Sequence, residues 1–466
     1  MSQPPRPEPS AFLLVLVCLS SAAAQLGVPS ALTAAIAGPA LLLFFLREWR
    51  HLAQVARILV MISLLGAGLM LMSGKIGLDT LARATDRAAF LAFFVTALSL
   101  LQGAAARSPM IRKCGVALVE QPPGRRYTVL TVGGALFGVL LNLGTLSLLG
   151  SIIKGGVDAR SGATEPRVSE IRLQRMTLAM LRGFCSIPMW SPTTMTLAIV
   201  LSGLPSVRWI DILPVGLAAT VVYLGLGWVT DRFTYPKPTP ANRTEGAPLT
   251  ALVPLVGLVV LIPALAYSLA AVLDLSMIAA LLIAVPFIAL GWIYIQMRGA
   301  GDPHPLRASG GWLLRDVIPG LPQMRSEVGI FAGSAFIGVL VPPLIDLPAV
   351  GAAVTQMGLS EGAVLVLSFW AIAIGSVIGI NPIITVTIAV ETLPSLPGLA
   401  LSDLSIAHMV TMSWAIIVGL SAFSASVRIA ARVIERDAAA IGLRWNMRFS
   451  ALMTVVLTLY LFFIGA

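Results

Sequence analysis

Four apolar runs of this chain are interrupted by residues that could do chemistry. The run 127–153 breaks at Asn142, Gly144, Thr145 and Ser147. The run 177–203 breaks at Ser186, Pro188, Ser191, Pro192, Thr193 and Thr194. The run 361–395 breaks at Asn381, Pro382, Thr385 and Thr387. The run 404–427 breaks at Gly419, Ser421, Ser424 and Ser426. A helix broken inside a membrane exposes unpaired carbonyls at one broken end and unpaired amides at the other. Carbonyl ends with Asn or Thr oxygens make a site for Na⁺, and amide ends draw an anion through the helix dipole. Gly144 permits positive φ at the first turn, and Pro382 lacks an N–H at the second. The same residue types also serve helix packing, and Ser or Thr can bond back to its own helix. The arrangement occurs twice, an Asn-bearing run and then a Ser-rich run, and this repetition points to a binding site.

The remaining ionisable residues narrow the chemistry. None of the 21 acidic residues falls at the centre of an apolar run. Asp211, Asp274, Asp346 and Asp403 flank run ends, and Glu391 is the deepest. No Lys or Arg stands at mid-run, so an anionic solute would be met by helix ends and hydroxyls. Proton-coupled carriers commonly keep an intramembrane Asp, Glu or His. This pattern leans toward Na⁺ near Asn142 and Asn381, and Glu391 keeps protons open. Cys18, Cys114 and Cys185 lie far apart, and His51, His304 and His408 form no pair at helical spacing. No metal spacing, disulfide framework or nucleophile–base pair follows. The expectation is a non-enzyme with no resident metal and no cofactor beyond Na⁺ as a coupling ion.

The elements that position these residues are membrane spans. A mean hydropathy of +0.92, 57% apolar residues and 11% charged residues exclude a soluble chain. Spanning helices are predicted at 11–28, 31–46, 57–73, 88–106, 177–203, 208–230, 250–272, 275–297, 327–345, 404–427 and 449–465. The runs 127–153 and 361–395 are predicted as re-entrant hairpins. With a cytoplasmic N-terminus, 27 of the 31 Lys and Arg then fall in loops on the cytoplasmic side. The net charge of +10 is thereby explained by topology and not by nucleic acid. Five crossings separate the two hairpins, so the second half is inverted relative to the first. The predicted fold is an all-α polytopic membrane protein, about 11 spans and two opposed hairpins in an inverted repeat.

Its predicted parts are an N-terminal helix (1–30), a first repeat (31–230), a cytoplasmic linker (231–248) and a second repeat (249–466). Each repeat holds scaffold helices (31–106 or 250–345), a hairpin and a broken helix. A last helix follows in each, at 208–230 and at 449–465. The Arg-rich stretches 167–182 and 428–448 are expected along the inner membrane surface. Arg6, an apolar core and SSAAAQ resemble a signal peptide, but a retained first helix is the plainer reading.

Two opposed hairpins, each followed by a broken helix, resemble the ion transporter superfamily. That group includes divalent anion–sodium symporters, citrate carriers, arsenite-efflux-type proteins and the large subunits of tripartite carriers. The resemblance covers about 31–465. At motif level Asn142 and Asn381 match the Ser-Asn-Thr hairpin tips of the sodium–dicarboxylate members. Here the tips read Leu141-Asn142-Leu143-Gly144-Thr145 and Ile380-Asn381-Pro382. The resemblance implies a homodimer in the inner membrane and elevator-like motion of the hairpin elements against the scaffold. The expected function is secondary transport of a small solute, an organic anion, coupled to an ion. A cation or proton antiporter on the same fold is one alternative. A membrane-embedded enzyme or accessory subunit is another.

Overall fold

A computed structural model describes residues 9–159, 165–235 and 246–464. The Arg6 flank and most of the 231–248 linker lie outside the described residues. The protein is an all-α polytopic membrane protein, 84% helical. Among the described residues, nine helices are long and apolar enough to cross a membrane. Shorter apolar helices at Pro9–Gln25, Glu361–Val377 and Pro382–Ser395 accompany them.

The chain opens with α1 (Pro9–Gln25), α2 (Ser30–Glu48), α3 (Gln54–Met72) and α4 (Leu78–Ala106). There follow α5 (Pro109–Val119), α6 (Pro123–Leu141), α7 (Gly144–Asp158), α8 (Pro166–Cys185), α9 (Met195–Gly203) and α10 (Trp209–Thr234). The middle holds α11 (Val253–Leu273), α12 (Met277–Gly299), α13 (Pro305–Trp312), α14 (Ile318–Gly320), α15 (Arg325–Leu340) and α16 (Leu347–Gln356). The last third holds α17 (Glu361–Val377), α18 (Pro382–Thr392), α19 (Asp403–Leu420), α20 (Ala425–Ile434) and α21 (Met447–Ile464).

Three segments differ from the sequence expectation. The stretch 107–126 is not simply a basic loop, because α5 forms there and buries Ile111, Cys114 and Leu118. The stretch 298–326 is largely helical, with Trp312 and Leu321 buried. The Arg-rich stretch 167–182 does not lie flat as one surface helix. It is the body of α8, and every residue from Met176 to Cys185 is buried. In each case burial of an apolar face overrides the local excess of charge.

Contacts divide the chain into two compact units. One comprises Met1–Ala104, Ile262–Met357 and Ile383–Leu399, and the other Ala105–Leu261, Gly358–Pro382 and Ala400–Ala466. Both units draw on both halves of the sequence. The first unit is built on small residues. Ser63 of α3 donates to the Gly333 carbonyl of α15 at 3.1 Å. Ala67, Met70, Ala84, Val339 and Leu340 form a core between α3, α4 and α15. Arg87 of α4 pairs with Glu391 of α18 at 3.1 Å. The deepest acid of the sequence is thus matched by a cation.

The second unit contains the first Asn break. Gly115 and Leu118 of α5 face Phe137 and Gly133 of α6, so α5 and α6 run antiparallel. Gly115 also faces Leu149 and Ile152 of α7, and Val119 faces Gly156, so α5 and α7 run parallel. Therefore α7 returns along α6, and the chain reverses at Asn142. The two ends of this hairpin share one end of the unit. Single cysteines at Arg125 and Lys154, in a background lacking native Cys, are expected to react alike with an impermeant thiol reagent. Labelling of one from outside but not the other would make 127–153 a crossing.

Candidate functional site

The first turn is made by backbone strain at Asn142. Its φ is 47° and its N–H bonds the Gly138 carbonyl at 2.9 Å, which ends α6. With ψ at −129° this lies outside the left-handed helical well, in a positive-φ region that suits glycine best. An alanine there would test the backbone as well as the side-chain oxygen. Gly144, expected to supply the positive φ, is instead the first helical residue of α7, because Asn142 makes the turn; Thr145 is fully buried with no partner for its hydroxyl.

The first Ser-rich break lies against this hairpin. A Cβ on Gly138 would stand 3.2 Å from Phe184 and 3.1 Å from Ile187. Here α8 ends at Cys185, and a single 3-10 turn (Ile187–Met189) leads to Trp190. Pro188 and Pro192 remove two amides from this stretch, so α9 restarts only at Met195. Ser186 bonds back to the Gly183 carbonyl at 2.7 Å. Ser191 and Thr193 share a hydrogen bond of 2.9 Å, and Thr194 donates to the Ser191 carbonyl at 2.8 Å. All four hydroxyl residues are buried. The Trp209 indole of α10 donates to the Trp190 carbonyl at 2.9 Å, so the protein itself serves that broken end.

The second Ser-rich break holds the second Asn-bearing segment in the same way. The Ser421 hydroxyl donates to the Ser376 carbonyl of α17 at 2.8 Å. The Phe423 ring lies 3.7 Å from where a Cβ on Gly379 would stand. The Ser424 side chain accepts from the Val427 N–H at 3.2 Å and caps α20. Asn381 and Pro382 are half-buried at the turn into α18, while Ile378 is 67% exposed. Thr385 stands on α18, in the other unit.

The two broken helices meet at Gly419. Its Cβ position lies 3.2 Å from Cys185 Sγ and 3.4 Å from Asn446 Nδ2. Asn446 donates to the Gly419 carbonyl at 3.0 Å and accepts from Arg182 Nε at 3.0 Å. Arg182 Nη1 donates to the Tyr127 hydroxyl at 2.9 Å, the Gly227 carbonyl at 3.0 Å and the Thr230 hydroxyl at 3.3 Å. Its guanidinium also stacks over Phe449, 4.4 Å from the ring centroid. Arg182 is only 4% exposed, and all of these acceptors are uncharged. Asp231, near the end of α10, is paired with Arg175 instead, at 2.6 Å. The Arg182 charge thus stands one turn before the first break and is linked to the second through Asn446, which bonds the Gly419 carbonyl two residues before Ser421.

The sequence reading overlooked Arg182, Asn446 and Tyr127. Arg182 lay inside the predicted span 177–203, near its start, and was counted among the loop cations. A single Arg inside a predicted span, four residues before its first polar break at Ser186, was the available signal. His408 of α19, which carries no role in the sequence pattern, is also buried. It is 5% exposed, its Nδ1 stands 3.2 Å from the Tyr460 hydroxyl, and its Nε2 has no partner. Outside the apolar core, Arg436 holds the Glu170 carboxyl below its ordinary range by a direct hydrogen bond. Lys154 at the end of α7 pairs with Glu435 at 3.1 Å. These pairs tie the hairpin and α8 to the end of α20.

Comparison with known proteins informs the fold alone. No family model matches the chain, and no curated protein matches it. Among solved structures, it is similar to the YdaH transporter of Alcanivorax borkumensis, whose crystal structure is described as revealing an unusual topology. The TM-score is 0.50 at 15% identity, over 88% of this chain and 99% of that one. The chain therefore shares the overall helical architecture of that protein.

Proposed function

We propose that the protein is a secondary active transporter of the cell inner membrane that moves a small organic anion. Arg182 is the observation that carries this reading. A fixed charge held by uncharged acceptors biases its surroundings toward an anion, and a buried ionisable residue in a membrane protein is a functional candidate by default. The buried, unpartnered Thr145 and Thr196 hydroxyls and the Trp190 indole N–H beside the first break support a polar ligand there. Each such group would otherwise cost about 1–3 kcal/mol. The architecture shared with a transporter supports transport as the class of activity.

In this reading the hairpin and the broken helices form the moving body of an elevator, and the early and middle spans form a scaffold within a homodimer. The two sets of elements form inverted repeats, as in the ion transporter superfamily. Asn142, Gly144, Thr145, Ser191, Thr193, Asn381, Ser421 and Ser424 surround the solute and its coupling ion, Na⁺. Proton coupling is the second reading, favoured by the buried and half-satisfied His408.

One experiment addresses solute and coupling together. Purified protein is heated with a panel of small organic anions, in NaCl and in choline chloride. At a hundredfold excess over Kd a true ligand adds about 2.7 kcal/mol. One anion class is expected to raise the melting temperature by several degrees, more in Na⁺ than in choline. Proton coupling would instead make the response follow pH alone, and His408→Gln would abolish that dependence. No response to any anion in either salt, together with no uptake by proteoliposomes, would overturn the proposal.

A further inference from the structure

The second unit has a cavity of about 590 Å³ well separated in sequence from the broken helices. Its walls include Arg107, Ser108, Arg112, Lys113, Glu120 and Ala247. Three of these are cationic and one is acidic. The walls are fixed by hydrogen bonds. The Ala247 N–H donates to the Glu120 carbonyl at 3.3 Å, and Gln121 Nε2 donates to the Ala247 carbonyl at 2.9 Å. Cys114 donates to the Ala251 carbonyl at 3.0 Å, which anchors α5 to the start of the next span.

The position of this cavity identifies its occupant. One candidate span, Leu78–Ala106, ends at its rim, and another, Leu249–Leu273, begins two residues beyond Ala247. The ends of spanning helices lie at the level of lipid headgroups. Along α5, Arg112, Lys113, Val116 and Glu120 are exposed, while Ile111, Cys114, Gly115 and Leu118 are buried. The exposed face thus offers two cations beside an apolar contact at Val116. The opening amides of α5 at Met110 and Ile111 precede the first i→i−4 bond, which Arg112 makes to Ser108, and they add positive dipole. Basic pockets at the ends of membrane helices suit phosphate-bearing headgroups.

We propose that this cavity binds the phosphate headgroup of an anionic lipid. The buried face of α5 carries the consequence, because Gly115 and Leu118 pack on both arms of the Asn142 hairpin. A lipid seated here would steady the helix against which that hairpin rests.

The test uses full-length protein in detergent, with phosphatidylglycerol or phosphatidylcholine added. A third arm compares inorganic phosphate with chloride at matched ionic strength. Phosphatidylglycerol is expected to raise the melting temperature by ~3 °C or more over phosphatidylcholine. The double substitution Arg112→Gln with Lys113→Gln is expected to weaken this response roughly tenfold or more in lipid concentration. Both side chains are exposed, so folding is retained, and each single variant is expected to give an intermediate loss. A control removes Arg47 and Arg50, two exposed cations at the end of another span, and is expected to respond like the wild type. The proposal is overturned if the cavity variant responds like the wild type. An equal loss in the control would overturn it too, since the effect would then be one of net charge. Inorganic phosphate matching the lipid would also overturn it, in favour of a soluble anion.

Discussion

Arg182→Gln is expected to lower stability by roughly 3–5 kcal/mol and to abolish uptake. The guanidinium serves four acceptors on three separate elements: Tyr127 on α6, Gly227 and Thr230 on α10, and Asn446 ahead of α21. Glutamine is too short to reach them, and the orphaned groups stay buried. Lysine restores the charge but not the planar fork, so Arg182→Lys is expected to recover part of the stability and less of the transport. Asn446→Leu separates the two roles. It leaves the charge in place but breaks the link to the Gly419 carbonyl, at a cost of about 1–3 kcal/mol. Thermal unfolding in detergent and uptake by proteoliposomes measure both quantities. An Arg182→Gln protein with wild-type stability and uptake would remove Arg182 from the mechanism. A destabilised variant with normal uptake per folded molecule would make it a purely structural residue.

The breaks were legible in the sequence because their residues act locally. Asn142 takes positive φ, Pro188 and Pro192 delete amides, and Ser424 caps the next helix. Each effect needs only its immediate neighbours. Burial of a charge needs the whole fold. Nothing in the local pattern says that Arg182 will meet Tyr127, 55 residues earlier, and Asn446, 264 residues later. For the same reason α5 was hidden, since its five exposed or neighbouring cations at 107–126 outweigh a single apolar face in any short window. The two units were also out of reach. They interleave three segments each, and hydropathy carries no information on which spans touch. The lower half of α8 shows the limit most plainly. The first half alternates Arg with apolar residues as a surface helix would, yet from Met176 onward every side of the same helix is covered.

Gly183→Ala is expected to be among the most damaging single-methyl changes in the second unit. The added Cβ would stand 1.9 Å from the Thr131 carbonyl oxygen, 2.8 Å from its carbon and 3.0 Å from the Ala135 nitrogen. All three are backbone atoms of α6, so no side chain can rotate away. The contact is reciprocal, because a Cβ on Gly134 would stand 2.5 Å from the Met180 carbonyl oxygen. Small residues at both positions let α6 and α8 cross with backbones touching, as is common between membrane helices. An alanine must push the helices apart. Overpacking of this kind costs about 1–3 kcal/mol, and here it also draws Arg182, the preceding residue, away from Gly227 and Asn446. Uptake should therefore fall along with melting temperature. Gly155 of α7 is the matched control, since nothing lies within 4 Å of its Cβ position. Alanine there is expected to be neutral or to stabilise by up to ~1 kcal/mol through helix propensity. Gly134→Ala combined with Gly183→Ala should cost less than the sum of the two, because one displacement relieves both clashes. If Gly183→Ala melts with Gly155→Ala, the two helices do not cross at this distance. The placement of Arg182 between the breaks would then lose its foundation.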